Sequence, residues 1–164
     1  MVGPGYLQLG ARREVSSGKY DCAKAWIITP AFPIPSGKVA TVDVKITAAT
    51  PGSQTNKWVI ATTNSGTDYG SGWLSFSWKD RTNTSYYQKV TLSSKFKEYT
   101  KTLLLEEGDR ILVGPSNDFS NPTWKDNTNA AKTFDPIMFL SDITVTVTAI
   151  EDNGEVVTVN AGIE

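Results

Sequence analysis

The sequence predicts an all-β domain, a two-sheet antiparallel β-sandwich with jelly-roll topology. Apolar and polar residues alternate in steps of two along many segments, and helical periodicity is almost absent. Turn-forming residues separate these segments at short intervals, which is typical of a sandwich or barrel. A length of 164 residues suits one domain with a core of its own. We therefore expect residues 1–164 to form a single sandwich.

The clearest predicted strand runs from Val39 to Ala48, where apolar and polar side chains alternate throughout. Successive side chains of a strand point to opposite faces of its sheet, so one face should be buried and the other wet. The expected buried set is Ala40, Val42, Val44, Ile46 and Ala48. The expected wet set is Thr41, Asp43, Lys45 and Thr47.

A second strand with the same pattern is predicted from Phe139 to Ala149. Its expected buried set is Ile143, Val145, Val147 and Ala149. Its expected wet set is Asp142, Thr144, Thr146 and Thr148. Both strands should therefore lie in a sheet that has the core on one side and water on the other.

The other predicted strands are rich in β-branched and aromatic residues, which suit a pleated, half-buried surface. They are Tyr6–Arg13, Ala25–Thr29, Lys57–Thr62, Gly72–Trp78, Tyr86–Leu92, Glu98–Leu105, Arg110–Val113 and a weaker one at Glu155–Val159. Turn residues separate them, among them Pro51-Gly52-Ser53, Glu107-Gly108-Asp109 and the hairpin-like Asp152-Asn153-Gly154. One long segment, Gly114 to Pro136, has no strand pattern, and a loop of that length is typically functional or disordered.

Composition argues against several classes of function. Sixteen basic residues nearly balance seventeen acidic ones without a long run of either sign, so binding to nucleic acid is not expected. No segment is apolar for long enough to cross a membrane, and no signal peptide is visible at Met1. Because the chain starts close to its first strand, we expect a piece of a larger exported protein, located outside the cell or on its surface.

Four segments of the chain resemble a known family. They are Tyr6–Gly10, Trp26–Phe32, Gly108–Leu112 and Phe139–Val145. Their order is similar to that in the galactose-binding-like jelly rolls of surface and secreted proteins from Bacteroides-type bacteria, which are similar to carbohydrate-binding modules. The likeness spans about residues 5 to 150 and implies the jelly-roll fold and a glycan partner. The chain departs from it at Ser141, where many relatives carry an aspartate, and this puts a metal-holding role there in doubt.

The chain contains few of the residue types that usually carry catalysis. There is no histidine, which removes the commonest general base and every serine–histidine–aspartate arrangement, and Cys22 is the single cysteine. A glycoside hydrolase needs only a pair of carboxylates, and Asp118, Asp126 and Asp135 in the long loop offer one. Aspartates are also common in loops for backbone reasons, and we favour that interpretation and a non-enzymatic function.

Exposed aromatic rings beside polar groups predict a sugar-binding site, because a ring offers a rigid apolar platform and polar side chains fix orientation. Trp124 has only polar or proline neighbours nearby, including Asp126 and Asn127, and is the leading candidate, with pinning of the loop as its alternative. Strand alternation adds Trp73, Trp78 and Tyr87 as further candidate rings.

The sequence thus predicts a binding module whose partner is a glycan or polysaccharide, with other domains of a parent protein as additional partners. A structural or protein-interaction sandwich is the alternative from another class, and a glycoside hydrolase is the third. No cofactor is expected, apart from the alternative of a structural calcium ion held by loop oxygens.

Overall fold

The computed structural model describes residues 5–16, 19–51, 54–64, 77–116 and 137–153. Numbered in chain order, the strands are β1 Leu7–Leu9, β2 Ala11–Ser16, β3 Lys19–Ala23, β4 Ile27–Ile28, β5 Lys38–Ala49, β6 Gln54–Thr63, β7 Tyr87–Leu92, β8 Lys97–Leu105, β9 Arg110–Pro115 and β10 Met138–Asp152. The described ranges contain no helix, and hence none that could span a membrane. The predicted all-β class is confirmed.

Eight of the strands form two four-stranded antiparallel sheets. The first sheet has the order β1-β10-β5-β8, and the second has the order β4-β9-β6-β7. The remaining two strands, β2 and β3, pair only with each other in a hairpin between β1 and β4. The inner faces of the two sheets share one apolar core, so the predicted two-sheet sandwich is confirmed.

The core lies between the sheets and follows the alternation predicted for β5. Each residue of the expected buried set in this strand has no exposed surface, and the intervening residues of the wet set are half-buried. The core also takes Leu103 and Leu105 from β8, and Trp58 and Ile60 from β6. Strand β5, one of the two inner strands of the first sheet, thus lies against the core along most of its length.

The two inner strands of the second sheet, β6 and β9, are buried on both of their faces. Residues 58–63 of β6 and 111–115 of β9 are buried without interruption, so neither strand has a wet side there. On the outer face Val59, Ala61, Tyr87 and Leu112 form a second apolar cluster. Continuous apolar runs are expected where a sheet is covered on both sides.

The predicted strand Tyr6–Arg13 is in fact two strands that belong to different sheets. Gly10 lies between them with a φ of 86°, a backbone conformation that glycine adopts without steric cost. The chain turns there from β1 into the β2–β3 hairpin. Strand β3 was not predicted, because the alternation of Tyr20 and Cys22 with Lys19 and Asp21 covers only a few residues.

Strand β10 is longer than predicted and carries two irregularities in its register with β5. They lie between Leu140 and Asp142 and between Val147 and Ala149. Val147 belonged to the expected buried set, yet its residue is 48% exposed, and Ile150 beyond the second irregularity is 51% exposed. Only the first part of β10 reaches the shared core, where Ile143 and Val145 pack against it.

Several predictions fall outside the described residues. Most of the strand Gly72–Trp78 does so, and its described end, Ser77 and Trp78, is not in a strand. The strand Glu155–Val159 and residues 117–136 of the long loop are also outside. The predictions for these segments therefore remain predictions.

Candidate functional site

Three aromatic rings form a row across one end of the first sheet, and we call Tyr6, Phe96 and Phe139 the aromatic row. The Tyr6 ring centroid lies 5.1 Å from that of Phe139, edge to face, and 6.0 Å from that of Phe96. Tyr6 is 58% exposed and Phe96 is 45% exposed. The row therefore presents a connected aromatic surface to solvent.

Strand register explains why the rings meet on the outer face of this sheet. Met138 and Leu140 are buried in the core, so Phe139 between them points outward. Phe139 pairs with Gln8 on one side, two residues after Tyr6, and with Ala49 of β5 on the other. Ala48, the β5 residue before Ala49, pairs with Lys97. Phe96 precedes Lys97 in the chain, so it lies beside Ala49 at the same end of the sheet.

Beyond the aromatic row, the outer face continues as three cross-strand rows of polar residues, which we call the polar rows. Each row takes one residue from β10, one from β5 and one from β8. In order from the aromatic row they are Asp142, Thr47 and Glu98, then Thr144, Lys45 and Thr100, then Thr146, Asp43 and Thr102. The members from β10 and β8 are exposed and those from β5 are half-buried, so the polar rows form an open face.

Short polar contacts order the side chains of the polar rows. The Thr102 hydroxyl donates to Asp43 Oδ1 over 2.7 Å, and the Thr144 hydroxyl donates to Asp142 Oδ2 over 3.3 Å. Lys45 Nζ lies 3.9 Å from Glu98 Oε1, an exposed pair that contributes little to stability. The face thus carries hydroxyl groups and carboxylates held close together in a regular array.

Trp78 and Tyr87 were predicted to take part in sugar binding. They pack on the second sheet and not beside the aromatic row. Their ring centroids are 5.2 Å apart in an edge-to-face arrangement. Tyr87 is only 7% exposed and belongs to the outer apolar cluster of that sheet, with Trp78 half-buried against it. Tyr87 lies on the outer face of the second sheet, but it is not an exposed ring, because Trp78 and the outer apolar cluster cover it.

The other predicted site residues cannot be placed beside these. Trp73, Trp124, Asp126 and Asn127 lie outside the described residues, as do the alternative carboxylates Asp118 and Asp135. Their assignment to a sugar-binding site stays a prediction.

A cluster of charged side chains around the buried carboxylate of Asp109 closes the turn between β8 and β9. Lys79 Nζ donates to Asp109 Oδ2 over 2.6 Å and to Glu106 Oε2 over 3.0 Å, while the backbone N–H of Glu106 donates to the same Asp109 oxygen over 2.7 Å. Burial by itself would lower the pKa of Lys79, but its hydrogen bonds to Asp109 and Glu106 outweigh that effect and raise it. The turn predicted at Glu107-Gly108-Asp109 is present, since the Asp109 N–H donates to the Glu106 carbonyl over 3.0 Å. It is not a hairpin, because it joins β8 of the first sheet to β9 of the second.

The sequence held one signal for the aromatic row. Phe96 stands between Lys95 and Lys97 in a polar connection, with no apolar neighbour to bury it. The same feature singled out Trp124. Tyr6 and Phe139 gave no such signal, because each lies inside an apolar segment and only the register brings them to the outer face.

Among the described residues, no group of three or more acidic or cysteine side chains is placed to hold a metal ion. The expectation of no cofactor, with a structural calcium ion as its alternative, stays a prediction. Comparison of the chain with protein-family models, with curated proteins and with solved structures found no match.

Proposed function

We propose that this chain is a non-catalytic binding module that recognises carbohydrate on the outer face of its first sheet. The aromatic row carries the proposal. Tyr6 and Phe96 expose large parts of their rings at contact distance from one another, although aromatic surface is normally withdrawn from water.

The chemistry of a sugar matches both parts of this face. A pyranose ring has an apolar face of C–H groups, which packs on an aromatic ring, and a rim of hydroxyl groups. Carboxylates and threonine hydroxyls next to the aromatic row, such as Asp142, Glu98 and Thr47, can accept or donate hydrogen bonds to that rim. The strand pairing already fixes the backbone of these residues, so binding does not have to order it.

The pairing of the strands supports the inferred jelly-roll topology. With the β2–β3 hairpin set aside, each strand of the first half pairs with its counterpart from the second half: β1 with β10, β4 with β9, β5 with β8 and β6 with β7. A long hairpin wound into two sheets gives this pattern, and we infer that winding here. Because the fold alone does not fix a function, the proposal depends on the exposed surface.

The same proposal extends to the parent protein, its location and its partner. We infer a domain of an exported protein, acting outside the cell or at its surface, with a glycan or polysaccharide as its partner. Trp124, Trp73, Asp126 and Asn127 are proposed to add to the contact with sugar, and Trp78 with Tyr87 to support the second sheet.

A glycan array probed with the wild-type chain and with Tyr6→Ala and Phe96→Ala variants tests the proposal. We expect binding to a defined group of glycans, reduced about tenfold or more in either variant, because each loses an aromatic platform. Ile150→Ala is the matched control: its side chain is similarly exposed but lies away from the aromatic row. The absence of binding to every glycan, or equal binding by all variants, would overturn the proposal.

A protein-interaction domain is the second candidate, favoured by the exposed apolar side chains of β10. Val147 and Ile150 lie on the side of the first sheet that faces the core, since they pair with the buried Val42 and Ala40. Apolar groups left half-exposed on such a side can contact another domain. Sedimentation of the wild type and an Ile150→Lys variant measures self-association, and a monomer in both would count against contact between copies.

A further inference from the structure

We propose that the ligand is a linear, uncharged polysaccharide that lies along the strands, from the aromatic row across the three polar rows. This inference rests on the proposed function and extends it from a single contact to a chain of sugars. The strands of the first sheet set the path, because the rows follow one another along β10, β5 and β8.

The length of the face favours a chain over a single sugar. Successive rows are two residues apart, or roughly 7 Å along a strand, so the third polar row lies roughly 20 Å from the aromatic row. A sugar held on Tyr6 or Phe96 cannot reach Asp43 and Thr102 in that last row. Only a ligand of several linked sugars contacts both ends.

The regularity of the face also favours a ligand with a repeating structure. The two irregularities of β10, at Leu140/Asp142 and at Val147/Ala149, bracket the polar rows and leave the stretch between them in uninterrupted register with β5. Each polar row therefore offers at least one threonine hydroxyl and at least one charged group at a constant interval. A polymer with a constant repeat can use these rows one after another.

The charges of the face select an uncharged ligand. The polar rows hold three carboxylates, those of Asp43, Glu98 and Asp142, and one ammonium group, that of Lys45. Lys45 is already paired with Glu98. An anionic polysaccharide would meet an excess of like charge, whereas the hydroxyl groups of a neutral sugar are donors that carboxylates accept well.

Titration calorimetry with oligosaccharides of increasing length tests the inference. The probes are the disaccharide, tetrasaccharide and hexasaccharide of β-1,4-linked glucose, mannose and xylose, with polygalacturonate as the anionic polymer. In at least one neutral series we expect affinity to rise about tenfold from disaccharide to hexasaccharide, because the longer chain gains hydrogen bonds at the polar rows. We expect no measurable binding of polygalacturonate.

A variant of the last polar row locates the added contacts. Thr146→Val combined with Thr102→Val removes two hydroxyls and keeps β-branched side chains that suit a strand. We expect it to weaken the hexasaccharide about threefold to tenfold and to leave the disaccharide unchanged. Thr91→Val, an exposed threonine on β7 of the second sheet, is the matched control and should bind as the wild type does.

The possible results separate this inference from the proposed function. Affinity that does not depend on length, tighter binding of polygalacturonate, or a hexasaccharide affinity unchanged in the double variant would overturn the inference while sugar binding stands. Failure of the wild type to bind any of these probes overturns the inference, and failure on the glycan array as well overturns the function.

Discussion

The ammonium group of Lys79 lies 2.6 Å from Oδ2 of Asp109, a residue that is only 1% exposed. This contact joins the segment before β7 to the turn between β8 and β9. The backbone supports it, since the Glu106 N–H donates to the same carboxylate oxygen. Asp109 is thus a buried charge whose partners are supplied by two separate parts of the chain.

Replacing Lys79 with Met should therefore destabilise the domain strongly. The variant leaves the Asp109 carboxylate buried without its counter-ion, and breaking a buried ion pair from one side costs about 3 kcal/mol or more. Urea unfolding measures the loss. The control is Lys38→Met, which removes the exposed ion pair between Lys38 and Asp152 and should leave the unfolding midpoint nearly unchanged. Equal effects of the two substitutions would contradict a special role for the buried pair.

The stability that Lys79 contributes should disappear at alkaline pH. Burial opposes its charged form, but the hydrogen bonds and charges of Asp109 and Glu106 outweigh burial and raise its pKa in the folded chain above the value of about 10.4 for an unfolded lysine. A raised pKa means that the contribution is complete below that unfolded value and is lost as pH rises through the folded one. The difference in urea midpoint between wild type and Lys79→Met should be constant near neutral pH and shrink above about pH 10.4. A difference that stays constant into that range would refute the assignment.

A methyl group added at Gly114 should destabilise the pairing of β4 with β9. The new Cβ would lie 2.5 Å from Cδ1 of Trp26 and 2.9 Å from the carbonyl oxygen of Ala25. The Trp26 ring is held in place because its Nε1–H donates to the Pro115 carbonyl over 2.7 Å. We expect Gly114→Ala to lower the free energy of unfolding by about 1–3 kcal/mol. Gly5→Ala, where a Cβ would meet nothing within 4 Å, is the control, and similar stability of both variants would disprove the clash.

Replacing Tyr87 with Ala should act on stability, not on a sugar contact. Its ring packs edge to face with Trp78 over the second sheet, and removing a buried aromatic side chain costs about 3–5 kcal/mol. Tyr6→Ala removes a ring that is mostly exposed and should change stability far less. Thermal unfolding of both variants checks the contrast. A Tyr87→Ala variant as stable as the wild type would return Tyr87 to the list of candidate platform residues.

The strands that could be predicted were those whose pattern is local. The alternation from Val39 to Ala48 placed the residues from Ala40 to Ala48 on their correct faces, because one buried face imposes a period of two on the sequence. The same rule failed for Val147, since the side of a sheet that faces the core is buried only where the other sheet covers it. At Tyr87 alternation gave the outer face correctly, but it could not show that Trp78 and the outer apolar cluster cover the ring there.

Only part of the candidate surface could be predicted from the sequence. The chain by itself determined that Asp43, Lys45, Thr144 and Thr146 would be on wet faces, because that follows from alternation within one strand. Only the tertiary structure decided that these wet faces adjoin, that β8 adds Thr102 beside them, and that Tyr6, Phe96 and Phe139 meet at one end. The physical reason is that alternation is set by neighbours along the chain, whereas pairing joins residues as distant as Asp43 and Thr146 through hydrogen bonds that no local pattern specifies.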